Sequence, residues 1–245
     1  MSTAATATDL THAADRSIAG PHHFLLRRLH SLTGLVFGGY LVVHLLINAT
    51  IAQGGTVYQT QVDKIHDLPF LPVIEWTFNY LPILFHTAYG IWIAVTGQWN
   101  VNRYPYEKNW FYVLQRVSAV IIVFFMLFHV LSLKYGLFGT TLAFKPERGA
   151  MQSVAAHMDR SFLITWLLYP IGILASCYHL ANGFWTAAIT WGLTISKNAQ
   201  RRWGVACLGL FVLTFVAGMI ALAAAARLDP AKLDPASVPV ASSPH

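Results

Sequence analysis

The sequence predicts an all-α integral membrane protein of five transmembrane helices, the first four of them forming a bundle. Three observations predict it. Charged side chains make up only 11% of the 245 residues and hydrophobic ones 56%, where a soluble domain carries about a quarter charged residues. Five runs are long and apolar enough to cross a hydrocarbon core, which takes roughly 20 residues per helix; they cover residues 29–52, 73–97, 110–136, 162–191 and 203–226. Each of the first four runs carries one histidine well inside its ends, and ionisable side chains inside membrane helices point to function by default.

Residues 1–28 are polar and rich in Ala and Thr, without the apolar core of a cleavable signal. They read as a cytoplasmic segment, and 29–52 as a retained first helix. Residues 29–226 then form one transmembrane domain. Residues 227–245, rich in Pro, Ala and Ser, read as a disordered tail. The longest connection, 136–159, has room for a short helix along the surface. The mean hydropathy of +0.51 agrees with this division.

A formal charge of +6 raises nucleic acid as a partner, but the basic residues form no face or stripe. They cluster beside the apolar runs, as membrane proteins place them. Eight Lys or Arg fall on the side of the N-terminus and seven on the other. The first set, Arg27, Arg28, Arg201 and Arg202 among them, hugs the helix ends more closely. This places the N-terminus in the cytoplasm and, after five crossings, the C-terminus outside. The two cysteines, Cys177 and Cys207, lie in different helices without metal-ligand spacing, which argues against an iron–sulfur cluster held by this chain alone.

Of eleven histidines, His44, His86, His129 and His179 fall inside the first four helices. Their depths follow from a rise of about 1.5 Å per residue. His44 lies 16 residues beyond Arg28 and His129 lies 19 beyond Trp110, about 24 and 28 Å from the cytoplasmic ends. His86 precedes Gly97 by 11 residues and His179 precedes Trp191 by 12, about 16 and 18 Å from those ends. Two depth-matched pairs result. In an antiparallel bundle, helices one and three sit diagonally, as do two and four, so each pair faces across the core.

Two imidazoles opposed across a gap are what bis-histidine ligation of a haem iron requires. Gly90 and Gly183, each four residues after its histidine, share its face, and Gly34, Gly38 and Gly39 line the approach in helix one. A single membrane histidine is more often a hydrogen-bonded packing residue, but four matched in depth are harder to explain that way. Zinc sites gather their ligands around one point, and no Cys-x-x-Cys-His occurs for a c-type haem. The expectation is two b haems. No lysine at mid-membrane offers a Schiff base, and no chain of carboxylates crosses the bilayer as a carboxylate-based proton pump requires.

Five stretches carry a resemblance: RRLHSLTG (27–34), HLLIN (44–48), LPILFHTAYG (81–90), NWFYVLQRVSA (109–119) and HLANGFWTAAITWG (179–192). Together they resemble the cytochrome b membrane anchor of succinate:menaquinone oxidoreductase, the five-helix dihaem type of complex II, over residues 24–203. The resemblance implies a chain without a succinate site, anchoring a flavoprotein that carries FAD and an iron–sulfur subunit to the plasma membrane. It implies His86 and His179 as ligands of a proximal haem, His44 and His129 of a distal one, and electron delivery to menaquinone. Members of the wider family also run as fumarate reductases, and the anchor alone does not fix the direction.

Arg116, about two turns into helix three, either neutralises a haem propionate or snorkels to the interface. His30 and Ser31, beside Arg27 and Arg28, either bond a proximal propionate, meet the iron–sulfur subunit, or form an ordinary interfacial cluster. Glu75, with His66, Asp67 and Asn48 behind it, is the candidate for proton exchange at a quinone site near the distal pair; a solvated helix-end carboxylate is the alternative. Trp76, Trp110, Trp185 and Trp191 read as interfacial anchors. Two other functions compete with this reading: a dihaem anchor for another quinone-linked enzyme, such as a hydrogenase or formate dehydrogenase, and a haem-free transporter or scaffold.

Overall fold

A computed structural model describes residues 21–97, 106–137, 143–159, 161–229 and 232–233. Most of the expected cytoplasmic segment and most of the expected tail lie outside the described residues. Seven helices organise those that are described. Helix α1 (Pro21–Ala49) runs through a 3₁₀ turn, Thr50–Gln53, into α2 (Gly55–His66). Then come α3 (Leu71–Thr96), α4 (Glu107–Tyr135), α5 (Pro146–Met158), α6 (Ile164–Thr190) and α7 (Lys197–Ala225). Five of them, α1, α3, α4, α6 and α7, have the length and apolar composition of membrane spans. Their boundaries fall within a few residues of the runs read from sequence, except that α1 begins at Pro21 and α7 at Lys197, each about two turns early.

Local chemistry explains the ends. Ser196 accepts a hydrogen bond from the Ala199 amide at 3.1 Å, an N-cap that satisfies one orphan donor of α7. Gly136 closes α4 with φ +64°, a left-handed conformation that glycine adopts without a Cβ penalty. Two prolines shape the interiors of α3 and α6. Pro82 and Pro170 lack an N–H, which would orphan a carbonyl one turn back. In each case a π turn precedes the proline, at Trp76–Tyr80 and Ile164–Leu168. The Leu81 and Tyr169 amides reach back five residues, to Trp76 O and Ile164 O. One extra residue in a turn advances the helical face by about 100°, so both prolines re-aim the side chains around them.

Helix α1 packs against α3, α6 and α7, and α6 packs against α4 and α7. This puts α1 and α4 at opposite corners, and α3 and α6 at the other two, with α7 outside on α1 and α6. Close approaches need small residues: Gly218 of α7 lies against Ile173 and Leu45, and Gly172 of α6 lies against the Phe125 ring. Large apolar side chains such as Phe78, Leu84, Phe124 and Val205 point outward and are more than half exposed, as lipid-facing surfaces are.

One helix is absent from the sequence reading. Residues 55–66 average near-neutral hydropathy and form α2, which packs on α5 over one end of the bundle. Gln59 joins them. Its amide nitrogen donates to Pro146 O at 2.6 Å and its side-chain oxygen accepts from the Ala150 amide at 3.3 Å. Burial of Tyr58 in this cap pushes its phenol pKa up. Helix α5 itself is docked rather than laid along the surface, since Ala150, Ala155 and His157 are almost fully buried.

Candidate functional site

The bundle brings the four membrane histidines together as two pairs. The His44 and His129 ring centres are 5.9 Å apart with planes at 90°. Those of His86 and His179 are 6.1 Å apart with planes at 88°. Along α1, His30 touches the second pair and His44 belongs to the first, so the two levels lie about 21 Å apart.

An imidazole nitrogen bonds a transition metal at about 2 Å and sits about 1 Å from its ring centre, so two axial rings sharing one iron have centres about 6 Å apart. Both observed pairs fit that spacing. By contrast, His30 stacks on His86 at 4.0 Å with planes at 7°, which leaves no room for an atom between the rings. That contact is packing.

The hydrogen bonds select the nitrogen that is left to act. His86 donates from Nδ1 to the His30 carbonyl at 2.9 Å. A carbonyl only accepts, so Nδ1 carries the proton and Nε2 holds the lone pair. His179 Nδ1 lies 3.2 Å from the Gln115 carbonyl and from Ser118 Oγ, and Ser118 itself donates to that carbonyl at 3.0 Å. The proton is again on Nδ1. Gln115 is tied in further, donating to the His179 carbonyl at 3.1 Å and accepting from Asn182 at 2.7 Å. His129 Nδ1 lies 3.2 Å from the Tyr169 hydroxyl. His44 has Tyr40 stacked beside it at 5.7 Å, and its carbonyl accepts from Asn48 at 2.7 Å. Partners of this kind orient metal-binding imidazoles and raise their basicity.

Glycines open the bundle, though at different contacts than the sequence suggests. An ideal Cβ on Gly34 would lie 2.5 Å from His86 Cε1, and one on Gly90 would lie 3.1 Å from His30 Cε1. These two glycines accommodate imidazole rings. Gly38 faces Leu180 and Phe184, Gly183 faces Gln115, and Gly39 faces open space. Arg116 is buried, donates to the Ile93 carbonyl at 3.2 Å and lies over the Tyr112 ring at 4.1 Å. Ser31 accepts from the Trp191 indole at 3.0 Å, and the Arg28 guanidinium lies over the same indole at 4.8 Å. Trp191 and Trp185, whose indole donates to Gln200 O at 3.1 Å, therefore tie segments of the chain together as well as sitting near helix ends.

Glu75 stands in different company from that expected. Asn48 is engaged with His44 O and with the Tyr58 hydroxyl at 3.4 Å, and His66 and Asp67 are exposed. The groups that feel the Glu75 charge are Tyr40 and Lys134. Lys134 donates to the Tyr80 hydroxyl. This polar cluster abuts His44 through the Tyr40 ring. Also unforeseen is His157, which is 2% exposed and hydrogen-bonded to Tyr169 at 2.8 Å. Its signal was present: Ala150, Val154, His157 and Met158 form a buried helical stripe.

A five-span helical bundle holding two facing imidazole pairs at separate depths defines a membrane cytochrome type of architecture. Comparisons with known proteins agree. A family model described as succinate dehydrogenase/fumarate reductase transmembrane subunit matches residues 94–218. The chain is 32% identical over 207 residues to the succinate dehydrogenase cytochrome b558 subunit of Bacillus subtilis (strain 168), a match covering 84% of this chain and 98% of that relative. The chain belongs to the succinate dehydrogenase/fumarate reductase transmembrane subunit family, and its role is that of the membrane anchor.

Proposed function

We propose that this chain carries electrons across its bundle from an iron–sulfur subunit to menaquinone, using two b-type haems. His86 and His179 would hold the proximal haem, and His44 and His129 the distal one. The observation that carries this reading is the pair of ring separations, 6.1 and 5.9 Å, each suited to one shared iron, with Nε2 left as the lone-pair nitrogen in His86 and His179. When bound, the haems would supply one-electron carriers at two depths.

The remaining roles follow from position. Arg116, one residue from Gln115, is the cation for a propionate on the proximal side. His30 backs the His86 ring, and Ser31 holds Trp191 beside it. In the orientation read from the basic residues, the N-terminal end of α1 is cytoplasmic, the membrane is the plasma membrane, and a flavoprotein with FAD docks there through the iron–sulfur subunit. Glu75, within reach of water at the opposite end, exchanges protons with the quinone.

A pyridine haemochrome assay on the purified complex tests the central claim. About two haems b per chain are expected, and none would end this reading. Glu75→Gln is expected to keep both haems and their reduction by succinate while slowing quinone reduction about a hundredfold. An unchanged quinone rate would remove Glu75 from the proton path.

A further inference from the structure

We propose that Tyr169 and His157 form a directional hydrogen-bond relay behind His129, setting the electron-donating strength of that ring and with it the reduction potential of the distal haem alone. The inference deepens the reading of His129 as an axial ligand and rests on it.

The geometry is a chain of three groups. His129 Nδ1 lies 3.2 Å from the Tyr169 hydroxyl, which lies 2.8 Å from His157 Nε2. With His129 Nε2 as a ligand, the relay assigns the protons in one direction, the phenol donating to His157 and not accepting from it. Nδ1 must then carry the His129 proton and donate it to the phenol oxygen. The phenol has a single proton, which goes to His157 Nε2. His157 is therefore an acceptor at Nε2, and its ring proton sits on Nδ1. Each donation leaves the donor group more negative and so a stronger acceptor for the group behind it. Tyr169, polarised by His157, becomes a stronger acceptor than a lone phenol, and His129 gains anionic character.

The placement argues against simple polar satisfaction. Tyr169 and His157 are 5% and 2% exposed, and Tyr169 belongs to the apolar cluster of Phe125, Ile173 and Leu222. An apolar pair of similar shape at both positions would be nearly neutral for stability. Tyr169 instead follows directly on the π turn at Ile164–Leu168 that accommodates Pro170. The chain also docks α5 from outside the spans, where Thr165 donates to Met158 O at 2.5 Å next to His157. The proximal pair is backed differently: His86 Nδ1 meets the His30 carbonyl, and His179 Nδ1 meets the Gln115 carbonyl with Ser118 Oγ also at 3.2 Å, without a phenol–imidazole chain behind either ring. The relay thus distinguishes the two pairs chemically, giving the distal site a side-chain partner whose strength a third residue adjusts.

The test is an equilibrium redox titration of the intact complex, followed by the haem absorbance. Tyr169→Phe deletes the acceptor for His129 Nδ1, so the ring donates less and the ferric state loses stabilisation. Both haems are expected to remain. The distal ferrous-to-ferric ratio at fixed ambient potential is expected to rise about tenfold, which is about 59 mV for one electron. His157→Leu should shift the distal haem the same way by less, and His157→Gln, whose side-chain oxygen can accept the phenol proton, should return it toward the unsubstituted value. An unmoved distal potential in Tyr169→Phe, or equal shifts of both haems, would overturn the relay. Should Tyr169→Phe lose the distal haem, the His157 variants decide: a shift in Leu reversed in Gln supports the relay, and identical behaviour overturns it. If the unsubstituted complex lacks a second haem, it is the ligand reading of His129 that fails, and that result is visible before any variant is made.

Discussion

His129→Ala is expected to leave a complex with about one haem b per chain in place of two, the remaining one spectrally intact. The expectation follows from the separation of the two levels. His44 has one imidazole facing it, His129, at 5.9 Å, while the other pair lies about 21 Å away along α1. On the proposed reading, removing the His129 ring takes away a haem ligand, and second-shell losses alone cost metal sites about tenfold to a hundredfold in affinity. The α band of the reduced-minus-oxidised spectrum should fall by about half, and quinone reduction by succinate should fall more than a hundredfold, since the carrier nearest the quinone is gone. Loss of both haems, or of neither, would contradict the pairing. The reciprocal variant His86→Ala should remove the other spectral component.

The second large effect is expected at Gly34. A Cβ there would lie 2.5 Å from His86 Cε1 and 2.7 Å from Nδ1. The imidazole cannot retreat easily, because His30 stacks on it at 4.0 Å and its Nδ1–H is bound to the His30 carbonyl at 2.9 Å. Gly34→Val therefore forces the ring off its position or pushes α1 from α3. Overpacking of this kind costs about 1–3 kcal/mol, roughly a tenfold to hundredfold fall in proximal haem occupancy. Haem spectra should show loss of the proximal component with the distal one retained. Gly39→Ala, which meets nothing within 4 Å, is the matched control and should behave as the unsubstituted protein. If Gly34→Val keeps both haems in full, the α1–α3 contact does not set the His86 position.

Much of this architecture is legible in one dimension. Charge scarcity marks the membrane, and apolar run length marks each crossing because hydrocarbon thickness and the helical rise are the same for any chain. The depth of His44, His86, His129 and His179 follows by counting. Connectivity adds the diagonals, since short loops force antiparallel neighbours. What counting misses is rotation about each helix axis and the docking of segments outside the bilayer. Gly90 and Gly34 share a face with the right elements, yet they admit imidazole rings, a contact set by how α1 and α3 turn toward each other. Glu75 keeps company with Tyr40 and Lys134 and not with Asn48, His66 and Asp67, since which side chains meet there depends on how α1, α3 and α4 turn toward one another.

The sequence by itself determined the number of crossings, the four histidines and the two depths at which they meet. Each is a property of composition and of distance along a single chain. Only the tertiary structure decided which atoms those rings touch: the His30 and Gln115 carbonyls behind one pair, and Tyr169 with the buried His157 behind the other. Hydrogen bonds have a range of about 3 Å, so they depend on side-chain orientation to within a fraction of a turn. That orientation is settled by packing between helices far apart in the chain.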